Sequence, residues 1–292
     1  MLANPITWPN GARCAVAITF DMDSDSILYS DHADRASTMI GTASWLRYDQ
    51  VAVPRILKLY QKHDIKQTFF IPGWTAERYA GIVREIVAEG HEVALHGYYH
   101  EKPNTLKPEI EKYWFEKSVD AISTVTGRKP VGFRAPSYRF SKHTLGYLLD
   151  AGLLYDSSLM SDDNPYLLAD KGSGRTLVEL PTDWSRDDWP QYTNNSELGY
   201  RMPIKSPRAA MEVFISEFDA AWAHGGMWVA VWHPFVSGRL ARLMAVDEML
   251  DYMKSKGGVW FATLEDIARH AREQIDQGHY APMIDSVPFH DA

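Results

Sequence analysis

From Cys14 onward, apolar runs of strand length take turns with segments of helical period, and most of the unusual polar residues fall where a run ends. Cys14 to Phe20, Gln67 to Ile71, Val93 to Leu95, Val131 to Ala135, Leu177 to Leu180, Met227 to Trp232 and Val259 to Ala262 read as strands. Between them, Val53 to His63 carries Val53, Ile56, Leu57 and Tyr60 on one helical face. Helical periods also cover Ala80 to Glu89, Pro108 to Thr126, Thr144 to Ala151, Arg208 to Ala223, Leu243 to Lys256 and a last stretch to about Gln274. Parallel neighbours need crossovers of this length, so the α/β alternation predicts a mainly parallel sheet, closed into a barrel in one domain spanning residues 1–292. With 292 residues and 45% apolar composition, the chain can bury such a core.

Chemistry in a parallel barrel sits at the carboxyl ends of the strands. Asp21, Asp23, His96, Arg134, Asp183 and His233 all stand there. His96 and His100 are four residues apart, and a strand end followed by one turn of helix would bring both imidazoles to one point. A bare pair of histidines is more often ordinary than metal-binding. A carboxylate from the neighbouring Asp21-Met22-Asp23 changes the balance, because two histidines and one carboxylate make a three-ligand site with room for water. Structural zinc sites are closed by four ligands, so this set points to a hydrolase. The plain alternatives are strand-end caps for the two aspartates and a structural ion pair for Arg134.

Two segments are long and polar, 24–48 and 185–207, and are expected to be loops that cover the site as a lid and a pocket wall. Within the second, Asp187, Asp188 and Trp189 either line the pocket or belong to a solvated loop. The tail from Gly278 holds two prolines and no period, and is expected to be ordered only against a neighbouring subunit. A net charge of −8, with no basic stretch, argues against nucleic acid or an anionic membrane as partner. The single cysteine, Cys14, admits no internal disulfide. The first residues lack a basic and apolar leader pattern and no run is long enough to span a bilayer, so a cytoplasmic location is expected.

Five segments in order, Thr19 to Asp23, His96 to His100, Phe133 to Pro136, Leu180 to Trp184 and Trp232 to Pro234, resemble the motifs of the polysaccharide deacetylase (NodB-homology) family. The resemblance covers nearly the whole chain and implies a distorted (β/α)7 barrel that hydrolyses a carbon–nitrogen bond with a divalent metal, zinc being the expected ion. It implies Asp21 as general base and Asp23, His96 and His100 as metal ligands. Here Asp-Met-Asp stands where many members have adjacent aspartates, so base and ligand could exchange within the pair. Arg134 would hold the base ionised through a charge-assisted bond. His233 would be the general acid, oriented by a carboxylate from the Asp183 segment. Tyr98, Pro136, Tyr138 and Trp184 would contact substrate.

Within the family the chain looks closest to the cyclic imide hydrolases, on the opening Trp8-Pro9-Asn10-Gly11, the insertion after Asp23 and Ser237-Gly238-Arg239 after the last motif. The expected substrate is then a small cyclic imide opened to a half-amide, and the expected assembly a homo-oligomer, most simply a tetramer. The alternatives are a peptidoglycan or N-acetylglucosamine deacetylase, an allantoinase-like cyclic amidohydrolase, and an inactive scaffold barrel.

Overall fold

A computed structural model describes residue 2 and residues 4–290. Its twelve strands are β1 (Cys14–Asp21), β2 (Thr68–Ile71), β3 (Glu92–Leu95), β4 (Gly132–Phe133), β5 (Tyr155–Asp156), β6 (Tyr166–Asp170), β7 (Thr176–Glu179), β8 (Asn194–Asn195), β9 (Tyr200–Arg201), β10 (Met227–Trp232), β11 (Val259–Phe261) and β12 (Ile284–Val287). β1 is buried along its whole length, which is why it reads as an unbroken apolar run rather than an alternating one. It pairs in parallel with β10 from Ala15↔Met227 to Phe20↔Trp232. Its other edge is shared, by β11 at the amino end and β2 at the carboxyl end.

From β10 the order runs β1, β2, β3, β4, β5, β7, all parallel neighbours, and these seven form the distorted barrel expected from the alternation. β7 and β10 are not paired. The gap between them is spanned by one parallel bridge, Asp187↔Val231, so the ring is closed by a loop rather than a strand. Period-two alternation divides β1 between two cores. Val16, Ile18 and Phe20 face the larger cluster beneath the helices, while Ala15 and Ala17 join Phe70, Ala94, Tyr155 and Val178 in the smaller one. Phe70 and Tyr155 lie on strands that are not neighbours, yet their rings meet at 6.4 Å, which marks the smaller cluster as the barrel interior. Thr19 and Asp21 continue that inward face to the carboxyl rim.

The segment 24–48 is not a structureless loop. It holds short helices at Ser26–Asp31 and Ile40–Leu46, seated by Ile27, Leu28, Met39 and Leu46, whose few apolar residues gave too short a period to read. The first long helix starts at Asp49, four residues ahead of the expected start, because buried Asp49 accepts bonds from the backbone and hydroxyl of Ser24 (3.1 and 2.7 Å). The segment 185–207 contains a one-turn helix, Trp189–Tyr192, and the β8–β9 hairpin. Nor does the tail wait for a neighbour. β12 adds in parallel to β6, which itself returns antiparallel on β7. Among the described residues no helix is long and apolar enough to cross a membrane.

Strands β5 and β7 bring two carboxyl groups face to face, since Asp156 is registered with Glu179 and both are fully buried. Glu179 Oε1 accepts the backbone N–H groups of Ser158 and Leu159, both at 2.8 Å, and Asp156 Oδ1 accepts the Ser158 hydroxyl at 2.8 Å. Burial raises Asp156 to about 6 and Glu179 well above the usual carboxylate range, Glu179 further by the charge of Asp156, so the folded pair keeps a proton. The unfolded chain releases that proton near pH 4, so the pair's contribution is fully present below that pH and is lost as pH rises through 6 and beyond. Glu179→Gln fixes the neutral form, and its stability relative to the native chain should climb between pH 5 and pH 8 in denaturant titrations. A pH-independent difference would contradict the shared proton.

Candidate metal centre and active site

The rim is assembled around a junction between β3 and β4. The Arg134 N–H donates to the Leu95 carbonyl at 2.9 Å, which sets His96 beside Arg134. His96 Nδ1 then lies 2.8 Å from the Arg134 carbonyl, an acceptor only, so Nδ1 carries the proton and the Nε2 lone pair is left facing Asp21 and Asp23. His100 does not arrive by a turn of helix. The chain curls through Gly97 (φ +69°) and the Glu101 carboxylate gathers the N–H groups of Tyr98 and Tyr99 (3.0 and 2.7 Å). A Cβ at Gly97 would come within 2.9 Å of that carboxylate. The curl leaves His100 at φ +65° with its ring centroid 5.0 Å from that of His96. Local hydrogen bonding has displaced the helical spacing the two histidines suggested.

Asp23 is reached just past β1. Its carbonyl accepts the hydroxyls of Ser26 and Thr75 (2.7 and 2.8 Å), and Ser24 after it is held left-handed (φ +50°) by Asp49. His96 Nε2 is 3.4 Å from Asp23 Oδ1, and His100 Nε2 is 3.7 Å from Asp23 Oδ2. Asp23, His96 and His100 each offer a donor atom, all within 4.8 Å of one another, and all three residues are buried. Burial holds His96 down to about 3 and His100 well below the usual histidine range, and it pushes Asp23 well above the usual carboxylate range. Neutral imidazoles are what a metal requires, and Asp23 Oδ1 is a buried oxygen without a hydrogen-bond partner. A cation there would satisfy the orphan oxygen and favour the ionised carboxylate, so the residues fit a divalent metal.

On one side of this triad stands Asp21. Arg134 Nη1 donates to its Oδ1 at 2.7 Å and to the Thr19 hydroxyl at 2.8 Å, leaving Asp21 Oδ2 open at 3.6 Å from His96 Nε2. The guanidinium is completely buried, its Nε on the Ser157 carbonyl (2.9 Å) and its plane 4.0 Å from the Phe70 ring centroid. On the other side stands His233, whose Nε2 is 3.6 Å from Asp23 Oδ2. Its Nδ1 lies 2.7 Å from Asp188 Oδ1, and Asp188 Oδ2 accepts the His233 backbone N–H (3.0 Å) and the Ser237 hydroxyl (2.5 Å). Burial by itself would lower His233, but the Asp188 carboxylate, with Asp23 and Asp187 beyond it, overrides that and raises the imidazole to about 10. Asp187, Asp188 and His233 also cluster within 4.8 Å, but both Asp188 oxygens and His233 Nδ1 are already engaged with one another and with Ser237.

Several expectations from sequence change here. The carboxylate on His233 is Asp188, not one from around Asp183. Asp183 instead caps the turn Trp184–Arg186 by accepting the Ser185 N–H at 2.7 Å. The signal was present but ambiguous, because Asp-Trp occurs twice, at 183–184 and 188–189. Only the second is carried by the bridge to Val231 against β10. Tyr98 points away from the pocket, its hydroxyl on Glu77 (2.7 Å) and its ring stacked 5.3 Å from Trp114. Pro136 is buried beneath Gly97, while its neighbours Ala135, Ser137 and Tyr138 line the pocket. Tyr138 and Trp184 do line it, as do Asp187 and Trp189, which decides their open alternative against a solvated loop. Ile27 and Asp31 from segment 24–48, and Leu198 and Tyr200 from segment 185–207, complete the wall.

His96→Ala should abolish stoichiometric metal binding, read by elemental analysis of protein loaded with one equivalent of zinc, while far-UV circular dichroism stays native. A full equivalent retained would refute the ligand set. Asp188→Asn should keep the metal yet shift the His233 imidazole down by more than one pH unit in NMR titration, since it removes the charge that holds it up. An unmoved His233 would show that Asp188 is not its partner in solution.

A family model described as polysaccharide deacetylase matches residues 10–155. The peptidoglycan deacetylase of Helicobacter pylori is 32% identical over 245 residues, covering 75% of this chain and 83% of the relative. A peptidoglycan deacetylase-like protein of Gibberella zeae is 28% identical over 290 residues, covering 88% and 86%. Among solved structures, one from Mycobacterium smegmatis, provisionally called a polysaccharide deacetylase, superposes with a TM-score of 0.89 at 39% identity, covering 97% of this chain and 96% of that one. An allantoinase structure superposes with a TM-score of 0.80 over 93% and 95%, and at 24% identity that likeness speaks for the fold alone. With a family model over half of its length and a 32% identical relative along three quarters of it, the chain belongs to the polysaccharide deacetylase family, hydrolases of carbon–nitrogen bonds.

Proposed function

We propose that this chain hydrolyses an amide-type carbon–nitrogen bond with the help of a divalent metal, zinc by the chemistry of its donors, held by Asp23, His96 and His100. The observation that carries the reading is the convergence of Asp21 Oδ2, His96 Nε2, Asp23 and His233 Nε2 within 3.4 to 3.6 Å contacts on one pocket wall. Such an ion, when bound, polarises a carbonyl oxygen and makes water more acidic. Asp21, with Oδ1 committed to Arg134, presents Oδ2 to take the proton of the attacking water. Amide nitrogen leaves poorly unless protonated. His233 supplies that proton from Nε2, while Asp188 keeps Nδ1 occupied and the ring in place.

Two substrate classes meet this chemistry. An N-acetyl group on a peptidoglycan sugar is the one that the named relatives support. A small cyclic imide is favoured by a different observation. The two covering segments narrow the pocket to about 130 Å³, close to the roughly 150 Å³ cavity that takes up a benzene ring. The named relatives carry the acetamide reading further, since no imide hydrolase is among them.

A screen of zinc-loaded protein against acetylated chito-oligomers, muropeptides, succinimide, glutarimide and allantoin separates them. Acetate release supports the first class and ring opening without acetate the second. Either activity should fall by about 10²-fold or more in Asp188→Asn, the scale on which a positioned general acid contributes. A fully loaded protein inert towards every compound would overturn the proposed hydrolysis.

A further inference from the structure

The stretch that crosses from β7 to β10 delivers two adjacent carboxylates, Asp187 at the one extended, bridged position and Asp188 at the head of the following helical turn, and the two find different surroundings. Asp188 turns behind His233 and is wholly buried, whereas Asp187 lines the pocket. The chemistry above uses Asp188 directly and gives Asp187 only a share in the charge around His233, with no contact to substrate. Asp187 Oδ1 accepts the Trp189 N–H and Oδ2 accepts the Tyr138 hydroxyl, both at 2.7 Å. A carboxylate offers about four lone-pair positions, so two remain uncommitted to these donors. Both donors are themselves braced, the Tyr138 ring 4.6 Å from Trp184 and the Trp189 ring 5.1 Å from His233. The carboxylate is thus held rigidly on the pocket wall beside the acid, with spare acceptor capacity and 3% exposure. A buried acceptor of this kind discriminates strongly, because a ligand without a matching donor leaves it desolvated and unpaired.

We propose that Asp187 is a specificity-determining residue that accepts a hydrogen bond from an N–H or O–H donor of a neutral substrate beside the scissile carbonyl. The proposal rests on the reading of this pocket as that of a carbon–nitrogen hydrolase. An ionised carboxylate is an acceptor only, so at that point a second anionic group meets a like charge where a neutral N–H or O–H meets a partner. The ring N–H of an imide and the N–H of an acetamide both carry the required donor, and donor-blocked analogues test each.

The test uses zinc-loaded native protein, Asp187→Asn and Tyr138→Phe with two probe pairs, succinimide against N-methylsuccinimide and N-methylacetamide against N,N-dimethylacetamide. Dissociation constants come from ligand-observed NMR, and KM and kcat from any probe that is hydrolysed. Native protein should prefer the donor-bearing member of at least one pair by tenfold or more. Asp187→Asn, which puts an amide donor where an acceptor stood, should erase that preference and raise KM by a larger factor than it lowers kcat. Tyr138→Phe should keep part of the preference, because the carboxylate remains. Equal binding within both pairs, no measurable binding of any probe, or a preference that survives Asp187→Asn would overturn the assignment. The native preference alone can refute it, even where a variant fails to fold. Probes bound with the expected preference but never hydrolysed would count against the hydrolase reading and leave Asp187 standing.

Discussion

The buried guanidinium of Arg134 is the contact on which the site depends. A charge with no solvent exposure is tolerated only where it is paired and its donors are satisfied. Here Asp21, Thr19 and both the carbonyl and hydroxyl of Ser157 do so, and the Phe70 ring covers one face. The same residue's carbonyl fixes the tautomer of His96. One side chain and its own backbone therefore orient the carboxylate proposed as base and one of the histidines proposed as ligand. The support runs further back. The Ser158 hydroxyl ties Ala135 to the Asp156–Glu179 pair, so those two carboxyl groups lie two hydrogen bonds from Ala135 at the rim.

Opposite functions in the pocket are built on separate supports. Asp21, Asp23 and His96 come from strand ends within the paired sheet and His100 from the curl that follows, while His233 is restrained by a loop that stands in for a missing strand pairing. Asp187 is the one bridged, extended residue between two short helical turns, and from that point Asp188 is directed to the imidazole and Asp187 to the cavity. Left-handed residues cluster around the same pocket. Ser24, His100, Ser137 and Tyr138 all have φ between +50° and +65°, each beside or within the site. Non-glycine residues in that region carry local strain, which the surrounding hydrogen bonds must overcome. The rim is thus a place where side-chain chemistry, not backbone preference, has decided the chain's path.

The architecture was legible in the sequence because it follows from short-range physics. Continuous apolar runs of strand length such as Cys14 to Phe20 read as strands covered on both faces, and the helical periods between them supply the crossovers that parallel neighbours need. Asp21, Asp23, His96, Arg134 and His233 could be picked out because each stands at the carboxyl end of an apolar run, a rule that also picked Asp183, and His100 by its four-residue spacing from His96. What remained hidden were contacts between residues far apart in the chain. Nothing local separates the Asp-Trp at 183–184 from that at 188–189. The gap between β7 and β10 decides, since only Asp188 is brought to within 2.7 Å of His233. Tyr98 belonged to the histidine segment by sequence, yet the Glu101 curl turns it towards Glu77 and Trp114. The two polar segments and the tail lacked the apolar density to show their short helices and strands, which are stabilised only by docking onto a core formed elsewhere. Sequence alone therefore determined the order of the elements and the kinds of groups at their ends, through periodicity and burial. Tertiary structure decided which carboxylate meets which imidazole and which wall faces the cavity, because those outcomes depend on distances that no local pattern encodes.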